Sequence, residues 1–189
     1  MLFSKYVLQF INELVNYDHS IKHQLKSYAT KEAVNFYHEN MNGAQIFKNK
    51  KSMLDYELLL CNGDGLYLEF GVNQAVHTNY IANKIKPKII HGFDSFSGFP
   101  EYYNSTPSFN AASKKSHDIN GILPKVKTNV NLHMGWFDTS IPEFVKEYNE
   151  KITYLNIDCD LYSSTKTVFD CIGDRIQKGT IIHFDEFLT

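Results

Sequence analysis

Near the N-terminus, apolar residues recur at the spacing of one helix face: Leu2, Tyr6, Phe10 and Leu14 fall four apart, with Val7, Ile11 and Val15 beside them. Residues 17–50 are polar, and helical spacing returns around Lys31 to Glu39. The asparagine- and lysine-rich run from Met41 to Ser52 reads as a loop. This pattern predicts a helical extension over residues 1–60. From Asp64 the rhythm changes. Short apolar runs predict strands at Leu66–Phe70, Lys88–Phe93, Val130–Met134, Ile152–Ile157 and Thr180–Phe184. Between them lie amphipathic stretches. Ile81, Ala82 and Ile85 share one face; Ile141, Phe144, Val145 and Tyr148 share another; Val168, Cys171, Ile172 and Ile176 share a third. Ser140 and Glu143 have the spacing of a capping box, and Ser163 or Ser164 is placed to cap the following helix. A long Ser-, Asn-, Gly- and Pro-rich loop follows the second strand.

Strands alternating with helices imply parallel strands joined by right-handed crossovers. The expected architecture is α/β, a doubly wound, mostly parallel sheet with N-terminal helices, its core over residues 64–189. Ligands of such sheets bind outside the carboxyl ends of the strands, and acids crowd those ends here. Glu69 closes the first strand and Asp94 follows the second. Asp158 and Asp160 follow the fourth, and Asp185 and Glu186 follow the fifth. The third leads into Gly135-Trp136-Phe137-Asp138. Converging carboxylates repel one another unless a cation sits among them. Oxygen donors in this number suit Mg²⁺ or Mn²⁺.

Gly71 lets the chain turn tightly beside Glu69 and lets a ligand approach the backbone, although the G-x-G-x-x-G spacing is lacking. Asp94 lies where an acid often accepts bonds from ribose hydroxyls; as a loop-stabilising Asp it would serve structure alone. Trp136, the only tryptophan, could stack on an adenine or pack in the core.

Composition narrows the partners. The 189 residues carry a formal net charge of -2, which gives no reason to expect nucleic acid or an anionic membrane. No run reaches the ~18 apolar residues of a membrane span. Cys61, Cys159 and Cys171 match no zinc spacing and imply no disulfide framework, which suits a cytoplasmic protein.

Five blocks stand in order: GLYLEFGV, HGFDSFSGFPE, GWFDTSIPEF, IDCDLYSSTKTV and GTIIHFDEF. Together, over about residues 64–189, they resemble the TylF-like (macrocin O-methyltransferase-like) family of class I methyltransferases, which use S-adenosylmethionine (SAM). The resemblance implies that Glu69 and Gly71 hold the methionine end of SAM, and that Asp94 binds the ribose. Ser95 and Phe96 would lie beside the adenosine, with Trp136 or Phe137 near the adenine. It implies Asp158, Asp185 and Glu186 as Mg²⁺ ligands and Asp160 as general base, acting on a hydroxyl of a sugar or other small natural-product acceptor. The chain departs from the family's W-R-G-G-S after the first glycine, having Asn73-Gln74-Ala75-Val76-His77. Relatives continue past the acidic pair through two more strands, so the sheet is expected to lack its C-terminal strands and the last strand to lie near an open edge. A homodimer, or N-terminal helices folded over that edge, would cover it.

Two other readings use the same residues. A D-x-D pair also holds the metal of a nucleotide-sugar glycosyltransferase. A SAM-binding domain without turnover is the other.

Overall fold

A computed structural model of the chain describes residues 21–102, 115–185 and 187. The expected helix over the N-terminal stripe from Leu2 to Val15 lies outside them, as does Glu186. Helix α1 (Ile21–Asn40), with the residues to Ile46, belongs to one compact unit; Phe47–Phe187 forms the other.

In the second unit, α2 (Lys50–Leu60) precedes β1 (Leu66–Phe70), α3 (Val76–Ile85), β2 (Ile90–Asp94) and β3 (Val130–Met134). Then come α4 (Phe137–Glu147), β4 (Ile152–Ile157), α5 (Tyr162–Ile172), a 3₁₀ turn (Gly173–Arg175) and β5 (Ile181–Phe184). The five strands are all parallel, in the order β3-β2-β1-β4-β5. This is the expected Rossmann-like, doubly wound core. Every residue of β1 and β4 is buried, as strands covered on both faces must be.

Two apolar layers do the covering. On one face Leu68, Phe70, Phe93 and Leu155 meet Ile141 and Phe144 of α4 and Val168 and Ile172 of α5. On the other, Tyr67, Ile90 and Tyr154 meet Leu54 of α2 and Ile81, Ala82 and Ile85 of α3. Burial of such side chains contributes roughly 1.5–3 kcal/mol each, relative to exposure.

Both expected serine caps are corrected. Helix α4 starts three residues before Ser140, after Trp136, and the Ser140 hydroxyl donates back to the Trp136 carbonyl at 3.0 Å. Ser140 is thus a buried residue of the helix and not its cap. Helix α5 follows Leu161 with no side-chain cap, and the Ser163 hydroxyl donates to Glu101 instead.

Register aligns the strand ends. Phe70 pairs with both Phe93 and Ile157, and Ile157 pairs with Phe184. The residues that follow, Gly71, Asp94, Asp158 and Asp185, therefore share one rim. Strand order reverses between β1 and β4, which makes that rim a topological switch point.

Candidate functional site

The rim opens into a cleft of about 900 Å³, lined by Glu69, Gly71, Asp94, Ser95, Trp136, Phe137, Asp158, Asp160 and Asp185. Nine of the expected residues thus meet in one place. Phe96 is the exception. Its ring is fully buried against Val72 and Ala75 and does not line the cleft.

Glu69 sits at the centre. It is 1% exposed, and its strand neighbour Asn156 donates to Oε1 at 2.9 Å. Oε2 is buried and makes no hydrogen bond of ordinary geometry, although the buried Thr78 hydroxyl lies near enough to favour the ionised carboxyl. Burial pushes the Glu69 carboxyl up to about 7, only partly opposed by Thr78 and Asn156. A buried carboxylate so weakly satisfied is costly unless a stronger donor reaches it. Beside it Gly71 adopts φ +98°, and a Cβ there would overlap the Asp158 carbonyl oxygen. The glycine is required by both conformation and space.

Asp94 stitches two loops together. Its Oδ2 accepts from the backbone of Val72 at 2.8 Å and Asn73 at 2.7 Å, and its Oδ1 from Phe96 at 2.7 Å. A carboxylate has roughly four lone-pair positions, so Asp94 supports the loops and keeps about one acceptor position for the cleft. The Ser95 hydroxyl donates to Gly98 at 3.0 Å within the second loop. Across the cleft Phe137 meets Phe70 edge-on at 5.3 Å, and Trp136 is 41% exposed.

The acids after β4 differ by position. Cys159 packs into the core, and it lines the cleft together with Asp158 and Asp160. Asp160 takes a left-handed φ of 59°, a conformation that Asp tolerates better than most residues. Asp158 accepts from His77 at 3.2 Å and faces Lys50 at 3.4 Å. Burial would raise its carboxyl; the His77 bond and the Lys50 charge outweigh that and hold it below its ordinary value. Lys50 also pairs with Asp185. Glu69, His77 and Asp158 bring ligand atoms within 4.8 Å of one another, a grouping able to hold a metal ion.

Sequence reasoning missed three of these residues. Asn156 carried a signal, a lone amide inside the apolar strand ITYLNI. His77 lies in the first turn of the helix that follows Gly71, where side chains face a strand-end ligand. Lys50 carried none, because its partners lie 108 and 135 positions away.

A buried acid near the end of β1, an obligatory glycine after it and a loop-bridging acid at the end of β2 surround the rim where doubly wound sheets bind their ligands. Residues 68–187 match the family model described as a methyltransferase domain, and the chain belongs to that family. The solved structure of the calicheamicin methyltransferase CalS11 is 23% identical, with 85% of this chain and 77% of that one covered and a TM-score of 0.53. The O-methyltransferase NovP is 18% identical over 70% of this chain and 64% of that one, with a TM-score of 0.50. At these identities the likeness is one of fold. No curated protein matches the chain. Among the described residues no helix is long and apolar enough to cross a membrane.

Proposed function

We propose that this domain transfers the methyl group of SAM to a hydroxyl of a small acceptor, with a sugar as the favoured class. The observation that carries the reading is the buried Oε2 of Glu69, which makes no hydrogen bond of ordinary geometry, beside Gly71 in a family of methyltransferase domains. An ammonium, such as the one at the methionine end of SAM, supplies the stronger donor. Asp94 has an acceptor position left for a ribose hydroxyl, Ser95 lies beside it, and Trp136 and Phe137 offer apolar surface for the adenine. Phe96 serves only by shaping the loop. The cleft volume lies within the ordinary range for cofactor sites.

Bound SAM supplies an already activated methyl group, so the residues must chiefly align the acceptor and remove its proton. Asp160 on the cleft side of the β4–α5 turn is the proposed base. Asp158 and Asp185 are hard oxygen donors suited to Mg²⁺ or Mn²⁺, with Glu186 as the third proposed ligand. Such an ion would acidify and orient the acceptor hydroxyl. The Lys50 ammonium spans the same two acids, so the donor set fits an ion only with that side chain moved aside.

The same proposal includes membership of the TylF-like branch, a cytoplasmic location, and a core over 64–189 carrying a helical extension over 1–60. Lys50, within those first 60 residues but in the same compact unit as the sheet, reaches the rim. CalS11 is named a calicheamicin methyltransferase and NovP an O-methyltransferase, which favours methyl transfer over the glycosyltransferase and binding-only readings. Turnover tests it. Product S-adenosylhomocysteine should form from SAM with a panel of sugar acceptors and Mg²⁺. Asp160→Asn should lower that rate by roughly 10²–10⁴-fold while cofactor affinity is kept. Full turnover in Asp160→Asn removes it as the base.

A further inference from the structure

Helix α2 presents Lys50, Leu54 and Glu57 on one face, at the i, i+4, i+7 spacing of a helix stripe. Leu54 is buried against the sheet and anchors the helix there. Of the two charged residues on either side of it, Lys50 reaches the acids that follow β4 and β5, and Glu57 reaches side chains within those strands. The Lys50 ammonium lies 3.4 Å from Asp158 Oδ2 and forms a closer ion pair with Asp185 Oδ1. Glu57 accepts from His183 Nδ1, at 3.1 Å and 3.0 Å to its two oxygens, and from the Tyr154 hydroxyl at 3.3 Å. His183 is 2% exposed, and its other nitrogen, Nε2, carries no hydrogen bond and lies 3.8 Å from Asp185 Oδ1. Asp185 is therefore approached both by a buried imidazole nitrogen that makes no hydrogen bond and by the lysine. The three paired side chains, Lys50, Asp158 and Asp185, are only 27%, 19% and 27% exposed, so bulk water screens them poorly. Asn49 fixes where the helix begins by accepting from the Ser52 N–H at 2.9 Å, and this sets the position of Lys50.

We propose that Lys50 is a built-in counter-ion for the Asp158–Asp185 pair, so that its ammonium and a divalent cation compete for the same carboxylates. This rests on the reading of those acids as the cation site. Two neighbouring carboxylates need positive charge between them to stay ionised, and the ammonium provides it from a separate segment of the chain. A divalent ion needs the same oxygens and repels the ammonium at close range. Its entry therefore drives Lys50 off the rim, and α2 becomes the element that reports whether metal is present.

Mn²⁺ alone, titrated into the full chain and followed by the electron paramagnetic resonance of the free ion, tests this. Lys50→Met should bind Mn²⁺ at least about tenfold more tightly than the wild type, and Lys50→Arg, which keeps the charge, should match the wild type. Mn²⁺ should also raise the melting temperature of Lys50→Met by more than that of the wild type, a readout that stands even if the metal-free variant is less stable. Equal Mn²⁺ affinity in wild type and Lys50→Met, or no binding in Lys50→Met, overturns the proposal. Failure of the methyl-transfer reading would appear separately, as absent binding of S-adenosylhomocysteine, and leaves the Mn²⁺ comparison intact.

Discussion

A carboxyl that is 1% exposed and titrates near 7 ties stability to ligand binding. Unfolded, Glu69 ionises near the ordinary carboxyl value of 4.5. Its folded form prefers the proton, so its stabilising contribution is whole below pH 4.5 and is lost as pH rises to about 7. The loss amounts to about 3 kcal/mol at most. Glu69→Gln should remove it, and urea denaturation at pH 8 should find the variant more stable than the wild type and less dependent on pH between 4.5 and 7. Equal slopes for the two proteins would show that Glu69 does not titrate this way. That cost to the fold supports the proposed role of Glu69 at the methionine end of SAM. Gly71 presents the opposite case, in which no side chain fits. Gly71→Ala should lower the unfolding free energy by at least about 3 kcal/mol, because its Cβ meets the Asp158 carbonyl in a left-handed backbone. A urea midpoint unchanged from the wild type would contradict the close approach.

At the level of elements, strands were legible and helix beginnings were not. β1 and β4 are unbroken apolar runs because both their faces are covered, and their limits were readable to the residue. The acids at their ends followed from topology, since parallel strands put all their carboxyl ends on one rim. The start of α4 was misread because the S-x-x-E spacing at Ser140 competes with a stronger fact, that Phe137 begins the helix by settling edge-on against Phe70. Asp94 was read for its cleft-facing role, while the backbone bonds that occupy most of its oxygens depend on loop shapes no spacing discloses. Lys50 depended on how α2 docks on the sheet.

The β2–β3–α4 contact contains a further element-scale feature. His91 is 4% exposed and bonds His133 at 3.0 Å, with its ring 4.6 Å from Tyr148 and 5.0 Å from Phe144. Burial, then the neighbouring His133, push the His91 ring down to about 4. The unfolded chain takes up this proton near 6.5, so the contribution is whole above that pH and is lost as pH falls towards 4. His91→Phe should flatten the acid limb of the stability curve in that window, the region in which Glu69 acts with opposite sign. An acid limb as steep as the wild type's would place the acid sensitivity elsewhere.

For the whole molecule, β3 and β5 are the outer strands, and among the described residues neither has a second strand partner. Unpaired edges seek partners. Multi-angle light scattering should give twice the 21.9 kDa of one chain; a stable monomer would mean that this edge is tolerated or covered within the chain. In the proposed function, the rim at the β1–β4 switch point receives the methyl donor. Calorimetric titration with S-adenosylhomocysteine, beside a UDP-sugar, tests it most directly. One-to-one binding of S-adenosylhomocysteine alone is expected, weakened at least about tenfold by Glu69→Gln through loss of a charged hydrogen bond. No binding of S-adenosylhomocysteine, or binding of the UDP-sugar in its place, would contradict it.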